Sequence, residues 1–142
     1  MTWYISDEDL PDMNDYDIIK GKRTYQYFDR EVLYPFGYGL SYSEFTYGKL
    51  NLEKKADKVI ARLTVANIGK YPADEVVQLY VRKEASRVRQ PISRLKGFTR
   101  VNLNPGETKE VKFIVNCEEL RIYDVISESM LLEDGEYTFL AG

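Results

Sequence analysis

Histidine is absent from the 142 residues, and cysteine and tryptophan occur once each, as Cys117 and Trp3. Without histidine the chain cannot assemble a Ser-His-Asp triad, a Cys-His pair or a His-ligated metal site. A single cysteine excludes an internal disulfide. No apolar run approaches the roughly 20 residues that span a bilayer, and the first residues lack the basic and apolar regions of a signal peptide. The chain is therefore expected to be soluble, with no membrane partner. Its net charge of -3 lacks the basic excess of a nucleic-acid binder, so no nucleic acid is expected either.

What the chain has in quantity is aromatic residues, with 12 Tyr and 6 Phe. Tyrosine suits strands and half-wet contacts, where the ring is covered and the hydroxyl finds a partner, which favours a β protein. Charge is unevenly spread. Asp7, Glu8, Asp9, Asp12, Asp15 and Asp17 crowd the start, whereas Arg82, Lys83, Arg87, Arg89, Arg94, Lys96 and Arg100 gather mid-chain with Glu84 between them. The simplest reading is two solvated loops. Asp12-Met-Asn-Asp-Tyr-Asp17 has the opening of a calcium loop, but Tyr16 holds the fifth position, Asp17 the sixth where glycine is needed, and Arg23 the twelfth. No metal and no cofactor is expected.

The stretch Leu33-Tyr-Pro-Phe-Gly-Tyr-Gly-Leu-Ser-Tyr-Ser-Glu-Phe45 sets rings or Leu at 34, 36, 38, 40 and 42 against Pro, Gly or Ser at 35, 37, 39 and 41. If extended, Tyr34, Phe36, Tyr38, Leu40 and Tyr42 form one face and near-bare backbone the other. Such a strap is expected to pack between two bodies, glycine permitting close approach. The sharper alternative is a stacking platform for a carbohydrate. Gly21–Phe28 offers a short alternating piece before it, with Arg23, Tyr25 and Tyr27 as further candidate contacts, through hydrogen bonds to a neighbouring domain or to a sugar. Residues 1–32 otherwise lack a period and are expected to take their order from a neighbour.

From Phe45 the pattern is regular. Phe45–Leu52 reads as a first strand. Val59, Ala61, Leu63 and Val65 alternate with Ile60, Arg62 and Thr64, then Val77, Leu79 and Val81 with Gln78, Tyr80 and Arg82, then Val111, Phe113 and Val115 form a third inward row. Val101 and Leu103 mark a strand before Asn104-Pro-Gly-Glu107, a type II turn signal. Asn116 with Glu119 predicts one capped helical turn. Arg121–Val125, Ser129–Leu132 and Glu136–Leu140 close the chain as strands. Seven or eight short strands with regularly spaced turns predict an all-β, immunoglobulin-like or fibronectin type III-like antiparallel two-sheet sandwich behind an irregular N-terminal extension. Leu63, Val65, Val77, Leu79, Val81, Phe113 and Val115 are expected to share one core.

Gly21-Lys-Arg-Thr-Tyr-Gln-Tyr-Phe28, Leu33–Tyr42, Val65-Ala-Asn-Ile-Gly69, Asp74–Val81, Leu95-Lys-Gly-Phe98 and Leu103-Asn-Pro-Gly-Glu107 together resemble the C-terminal end of family 3 glycoside hydrolases, the β-glucosidase and β-xylosidase type. The resemblance implies a division at residue 42: residues 1–42 as the exit of an α/β domain, carried by Thr2–Pro11, plus a connecting strap, and residues 43–142 as a fibronectin type III-like domain. It implies packing on the catalytic barrel and α/β domains of a parent chain. The nucleophile motif and Lys-His pair of the family's barrel have no counterpart here, so the resemblance implies a non-catalytic accessory part, with no catalytic residue. Detached from such a body, the rings are expected to fold onto the sandwich or to drive self-association.

Overall fold

Period-two alternation builds the long strands of this protein, and the computed structural model, which describes residues 4–142, places their apolar rows face to face. Nine strands follow in order: β1 (Phe45–Tyr47), β2 (Asn51–Lys54), β3 (Lys58–Asn67), β4 (Ala73–Lys83), β5 (Arg94–Leu103), β6 (Thr108–Asn116), β7 (Ile122–Asp124), β8 (Ser129–Leu131) and β9 (Tyr137–Ala141). In one sheet β3 is flanked by β6 on one side and by β1 and β2 in succession on the other; the second sheet has the order β5-β4-β9. All pairings are antiparallel, and β7 and β8 form a separate hairpin. The result is a two-sheet sandwich of the fibronectin type III-like kind.

The core lies between the sheets. Leu63, Val65, Val77, Leu79, Val81, Phe113 and Val115 all belong to it, joined by Ala61, Leu103, Val111 and Leu120. One side of the sandwich is closed by the Asn104–Glu107 turn, where the Glu107 amide donates to the Asn104 carbonyl at 3.0 Å and Gly106 takes φ +77°, as a type II turn requires. Past β6, Cys117–Leu120 forms a single 3-10 turn whose Asn116–Glu119 capping box is present.

One polar side chain sits inside this core. Asn67, at 0% exposure, donates from Nδ2 to the carbonyls of Tyr71 (2.8 Å) and Leu103 (2.9 Å), and its Oδ1 accepts from the Ser43 hydroxyl (2.7 Å) and the Gly69 amide (2.9 Å). Its backbone joins the β5–β6 turn as well, with the Asn67 amide on Glu107 O (3.0 Å) and Gly106 on Asn67 O (2.8 Å). Every hydrogen-bonding site of this amide is filled, so its burial carries no unmet polar cost. It ties together the end of the strap, two turns and both sheets.

The structure departs from the sequence reading in five places. Phe45–Leu52 is two strands, interrupted where the Gly48 amide donates to the Thr64 carbonyl at 2.8 Å. β5 begins at Arg94, well before Val101, and a register shift opposite Leu79/Tyr80 leaves Lys96 bulged. Gly21–Phe28 is no extended piece: Thr24–Tyr27 is one helical turn, α1. The basic cluster is not one loop, since Arg82 and Lys83 lie on β4 and Arg94, Lys96 and Arg100 on β5. The strap is not extended through its centre, for a reason given below. The candidate exit segment Thr2–Pro11 falls partly outside the described residues; from Tyr4 it contains a 3-10 turn at Asp7–Asp9, capped by the Ser6 side chain.

Candidate functional site

Gly37 decides the shape of the strap. It takes φ +86°, and the Tyr38 amide donates to the Pro35 carbonyl at 3.0 Å, so Pro35–Tyr38 is a tight turn in which glycine supplies the left-handed position. A turn there cancels the flat ribbon of rings expected from alternation. Tyr34 and Tyr38 are folded toward each other, ring centroids 5.1 Å apart and tilted by 51°. Phe36 stacks on Tyr25 of α1 at 4.2 Å and 12°, and meets the edge of Tyr80 on β4 at 6.3 Å and 86°. Phe36, with Tyr25 stacked on it, thus lies against Tyr80 on the outer face of the β5-β4-β9 sheet, and the Tyr34–Tyr38 pair flanks it in the chain, so four candidate residues from two segments come close together.

The cluster borders a cleft of about 500 Å³ lined by Tyr25, Phe36, Tyr80, Arg94, Lys96 and Leu140. Burial and the neighbouring Arg94 push the Lys96 ammonium below its ordinary range. The rings stay only half covered: Tyr25, Tyr34, Phe36 and Tyr38 are exposed, and Leu40 and Tyr42 are almost fully so. Val76, Leu95 and Phe98 on the same sheet are exposed too. Exposed aromatic and aliphatic side chains thus stand together on the outer side of this sheet.

Arg23 and Tyr27 are not part of that cluster. The Arg23 guanidinium donates to the Asp12 carbonyl, inside the N-terminal segment, while its Nε is buried without a partner. Tyr27 lines a separate groove with Ile19, Val88, Arg89, Pro91 and Tyr123. Lys22 and Thr24 take φ of 50° and 68°, left-handed values that cost on the order of 1–3 kcal/mol each. The turn presenting Tyr25 is therefore held by its surroundings, including the Ile92 amide, which donates to Gln26 O at 2.7 Å. Tyr4 pairs with Val32 in an isolated antiparallel bridge, and its ring meets Phe28 edge-on at 4.9 Å. Residues 5–31 thereby leave and return to one point, and the backbone at Tyr4 lies at the root of the strap.

The N-terminal carboxylates are occupied with the backbone. Asp12, Asp15 and Asp17 each accept an amide two residues on, at 2.9–3.0 Å. Two well-covered carboxylates, Asp124 and Glu133, sit elsewhere and share Arg87. Asp124 Oδ2 accepts from the Ser127 hydroxyl (2.7 Å) and lies 3.4 Å from Arg87 Nη2; Glu133 accepts from the Ser86 hydroxyl (2.6 Å) and the Arg87 amide (2.8 Å). The Ser127 hydroxyl chiefly holds the Asp124 carboxyl below its ordinary value of 3.8. Burial raises Glu133, yet the Ser86 hydroxyl and the Arg87 amide and charge outweigh it and leave the carboxyl below 4.5. Glycoside hydrolysis requires one carboxylic acid with a raised pKa facing a second carboxylate. Here both are held ionised, so the pair works as a clamp between the 84–88 loop and the β7–β8 hairpin.

A pH dependence follows. Groups whose folded pKa is depressed stabilise the fold above their unfolded pKa, and that contribution fades as pH falls through the folded value. The thermal midpoint should thus decline below about pH 4.5, the region in which these carboxylates protonate. Asp124→Asn should lower the midpoint at pH 7 and flatten the acid limb; an acid limb as steep as in the parent would contradict the clamp.

Residues 75–142 match the model of the fibronectin type III-like domain. The thermostable β-glucosidase B of Acetivibrio thermocellus is 41% identical over 125 residues, covering 83% of this chain and 17% of its own length. The xylan 1,4-β-xylosidase of Xylanibacter ruminicola is 36% identical over 144 residues, covering 100% of this chain and 16% of that enzyme. The crystal structure of a family 3 β-glucosidase from Bifidobacterium adolescentis superposes with a TM-score of 0.77 at 34% identity, over 83% of this chain and 18% of the other. The chain belongs to the fibronectin type III-like domains of family 3 glycoside hydrolases. The β-glucosidase of Kluyveromyces marxianus gives the same fold, with a TM-score of 0.78 and 34% identity over 83% of this chain and 15% of that one. This fibronectin type III-like chain therefore spans about a sixth of the length of the relatives it matches, and corresponds to their C-terminal region.

Proposed function

We propose that the chain is a non-catalytic accessory part of a family 3 glycoside hydrolase of the β-glucosidase or β-xylosidase type, in which residues 43–142 form the domain and residues 1–42 the connection to the catalytic body. The observation that carries this reading is the half-exposed ring cluster beside the root of the strap. Through the Tyr4–Val32 bridge, a longer chain arriving at Tyr4 emerges next to Tyr34, Phe36 and Tyr38. A body attached there meets the rings without a long linker. Apolar faces of this size are seldom left in water by a working protein, and rings covered by a neighbouring domain contribute stability in proportion to the area removed from solvent. Tyr25 belongs to the same connection through its stacking on Phe36, Arg23 and Tyr27 by position in the chain alone.

The test has two arms. The purified 142-residue chain should hydrolyse no aryl β-glucoside or β-xyloside above a buffer blank. In a family 3 enzyme carrying this sequence, Phe36→Ser with Tyr38→Ser should lower thermal stability and activity together. Turnover by the isolated chain that disappears on mutating one of its carboxylates would overturn the reading. So would saturable binding of soluble oligosaccharides abolished by the same double substitution, because the rings would then be a sugar platform.

A further inference from the structure

The two main sheets are not equally defended at their edges. β6 carries Lys109, Glu110 and Lys112, β2 carries Glu53 and Lys54, and β5 carries Arg94, Lys96 and Arg100 together with its bulge. β1 has only three residues. Charge, bulges and brevity are the devices by which natural sheets keep free edges from pairing with another chain. Among the described residues β9, Tyr137-Thr-Phe-Leu-Ala141, pairs with β4 on one side only, and it has no charged residue, no proline and no bulge.

The core is also open on that side. Along β6 and at the end of β5, Val111, Phe113, Val115 and Leu103 are buried, whereas Tyr137, Phe139 and Ala141 of β9 and Phe45, Tyr47 and Leu50 across from them are only partly so. A crevice of about 340 Å³ opens among Leu52, Val59, Leu120, Leu132, Tyr137 and Phe139. Because β1 and β2 occupy one flank of β3 in succession, each sheet has three strand positions, one fewer in total than the seven of an immunoglobulin-type sandwich.

Backbone direction identifies what the edge offers. Gln78 and Gly142 exchange both hydrogen bonds, at 2.8 and 3.1 Å, so in the antiparallel pattern Tyr80–Leu140 and Arg82–Thr138 are the next exchanging pairs. The amides and carbonyls of Tyr137, Phe139 and Ala141 therefore point away from β4, three donors and three acceptors in a row. We infer that this edge is a self-association surface whose partner is β9 of a second copy of the chain, paired antiparallel about a two-fold axis through Phe139. That register places Tyr137 opposite the partner's Ala141, Phe139 opposite the partner's Phe139 and Glu136 opposite the partner's Gly142. Bulky residues meet small ones at both ends, an aromatic pair sits at the centre, and all six free backbone groups on each strand find partners. The inward rows stay on one face, since odd residues meet odd residues, and the symmetry closes as a dimer instead of propagating.

Sedimentation equilibrium of the full 142-residue chain tests this. The parent should show a reversible monomer–dimer equilibrium, with the Tyr137, Phe139 and Ala141 amides exchanging more slowly as concentration rises. Ala141→Pro removes an amide that faces the free edge and leaves the β4 ladder intact; it should weaken dimerisation on the order of 10- to 100-fold, two donors being lost per dimer. Leu140→Lys, which adds the missing edge charge on the outer face, should act in the same direction should the proline disturb folding. Phe36→Ser with Tyr38→Ser should leave the dimer in place, separating this surface from the strap. A parent that stays monomeric at millimolar concentration, or a dimer indifferent to both β9 substitutions, would overturn the inference.

Discussion

Replacing Asn67 with Leu is expected to destabilise the fold by about 3 kcal/mol or more, although the two side chains are close in size. Leucine fills the space but leaves the carbonyls of Tyr71 and Leu103, the Gly69 amide and the Ser43 hydroxyl without their partner at a position that is 0% exposed. Each buried group so stranded costs about 1–3 kcal/mol, and turn rearrangement recovers part of the sum. Because one amide fastens the strap end and both sheets, the loss should appear as a lower urea midpoint for the whole domain. Ser43→Ala, which removes one of the four bonds, should cost about 1 kcal/mol. An Asn67→Leu variant with the parent's midpoint would mean that these loops hold their shape unaided.

Leu79→Ala should cost about 2–5 kcal/mol, the range for truncating a large buried aliphatic side chain. Leu79 lies at 0% exposure on β4, the middle strand of its sheet, with Gly97 of β5 and Ala141 of β9 opposite it. Glycine and alanine on its flanks have no side chain long enough to swing into the vacated space, which places the loss toward the upper part of that range. Equilibrium denaturation with an unchanged slope measures it directly. A loss below about 1 kcal/mol would show that the two sheets slide together to close the cavity.

Alternation made β3, β4 and β6 legible, since each buries mainly its odd-numbered row, with Ile60 of β3 covered as well. β5 hid its first half because the bulge at Lys96 reverses the phase. Arg94 faces inward and Leu95 outward before the bulge, after which Gly97, Thr99, Val101 and Leu103 face inward. The Asn104–Glu107 turn and the Asn116 capping box were readable because their chemistry is local. The burial of Asn67 was not, since two of its four side-chain partners, Ser43 and Leu103, lie 24 and 36 residues away. The strap illustrates the opposite error. Alternating rings and glycines suggested a flat ribbon, yet glycine that permits close approach also permits the left-handed turn at Gly37. Tyr25, Tyr34, Phe36 and Tyr38 were identifiable as candidates from ring density alone. The stacking of Tyr25 on Phe36 depended on a helical turn too short to leave a periodic signal.

The Tyr4–Val32 bridge has a mechanical meaning. Tension applied between residue 4 and the far end of the sandwich loads that single pair first, since it lies in parallel with the loop it closes. Its rupture lets the 27 residues from 5 to 31 extend, on the order of 90 Å of slack at full extension. Strap and sandwich carry the same tension throughout, but the sandwich resists it with whole antiparallel ladders where the bridge has one residue pair. The N-terminal loop is thus expected to lengthen at a force below the one that unfolds the sandwich.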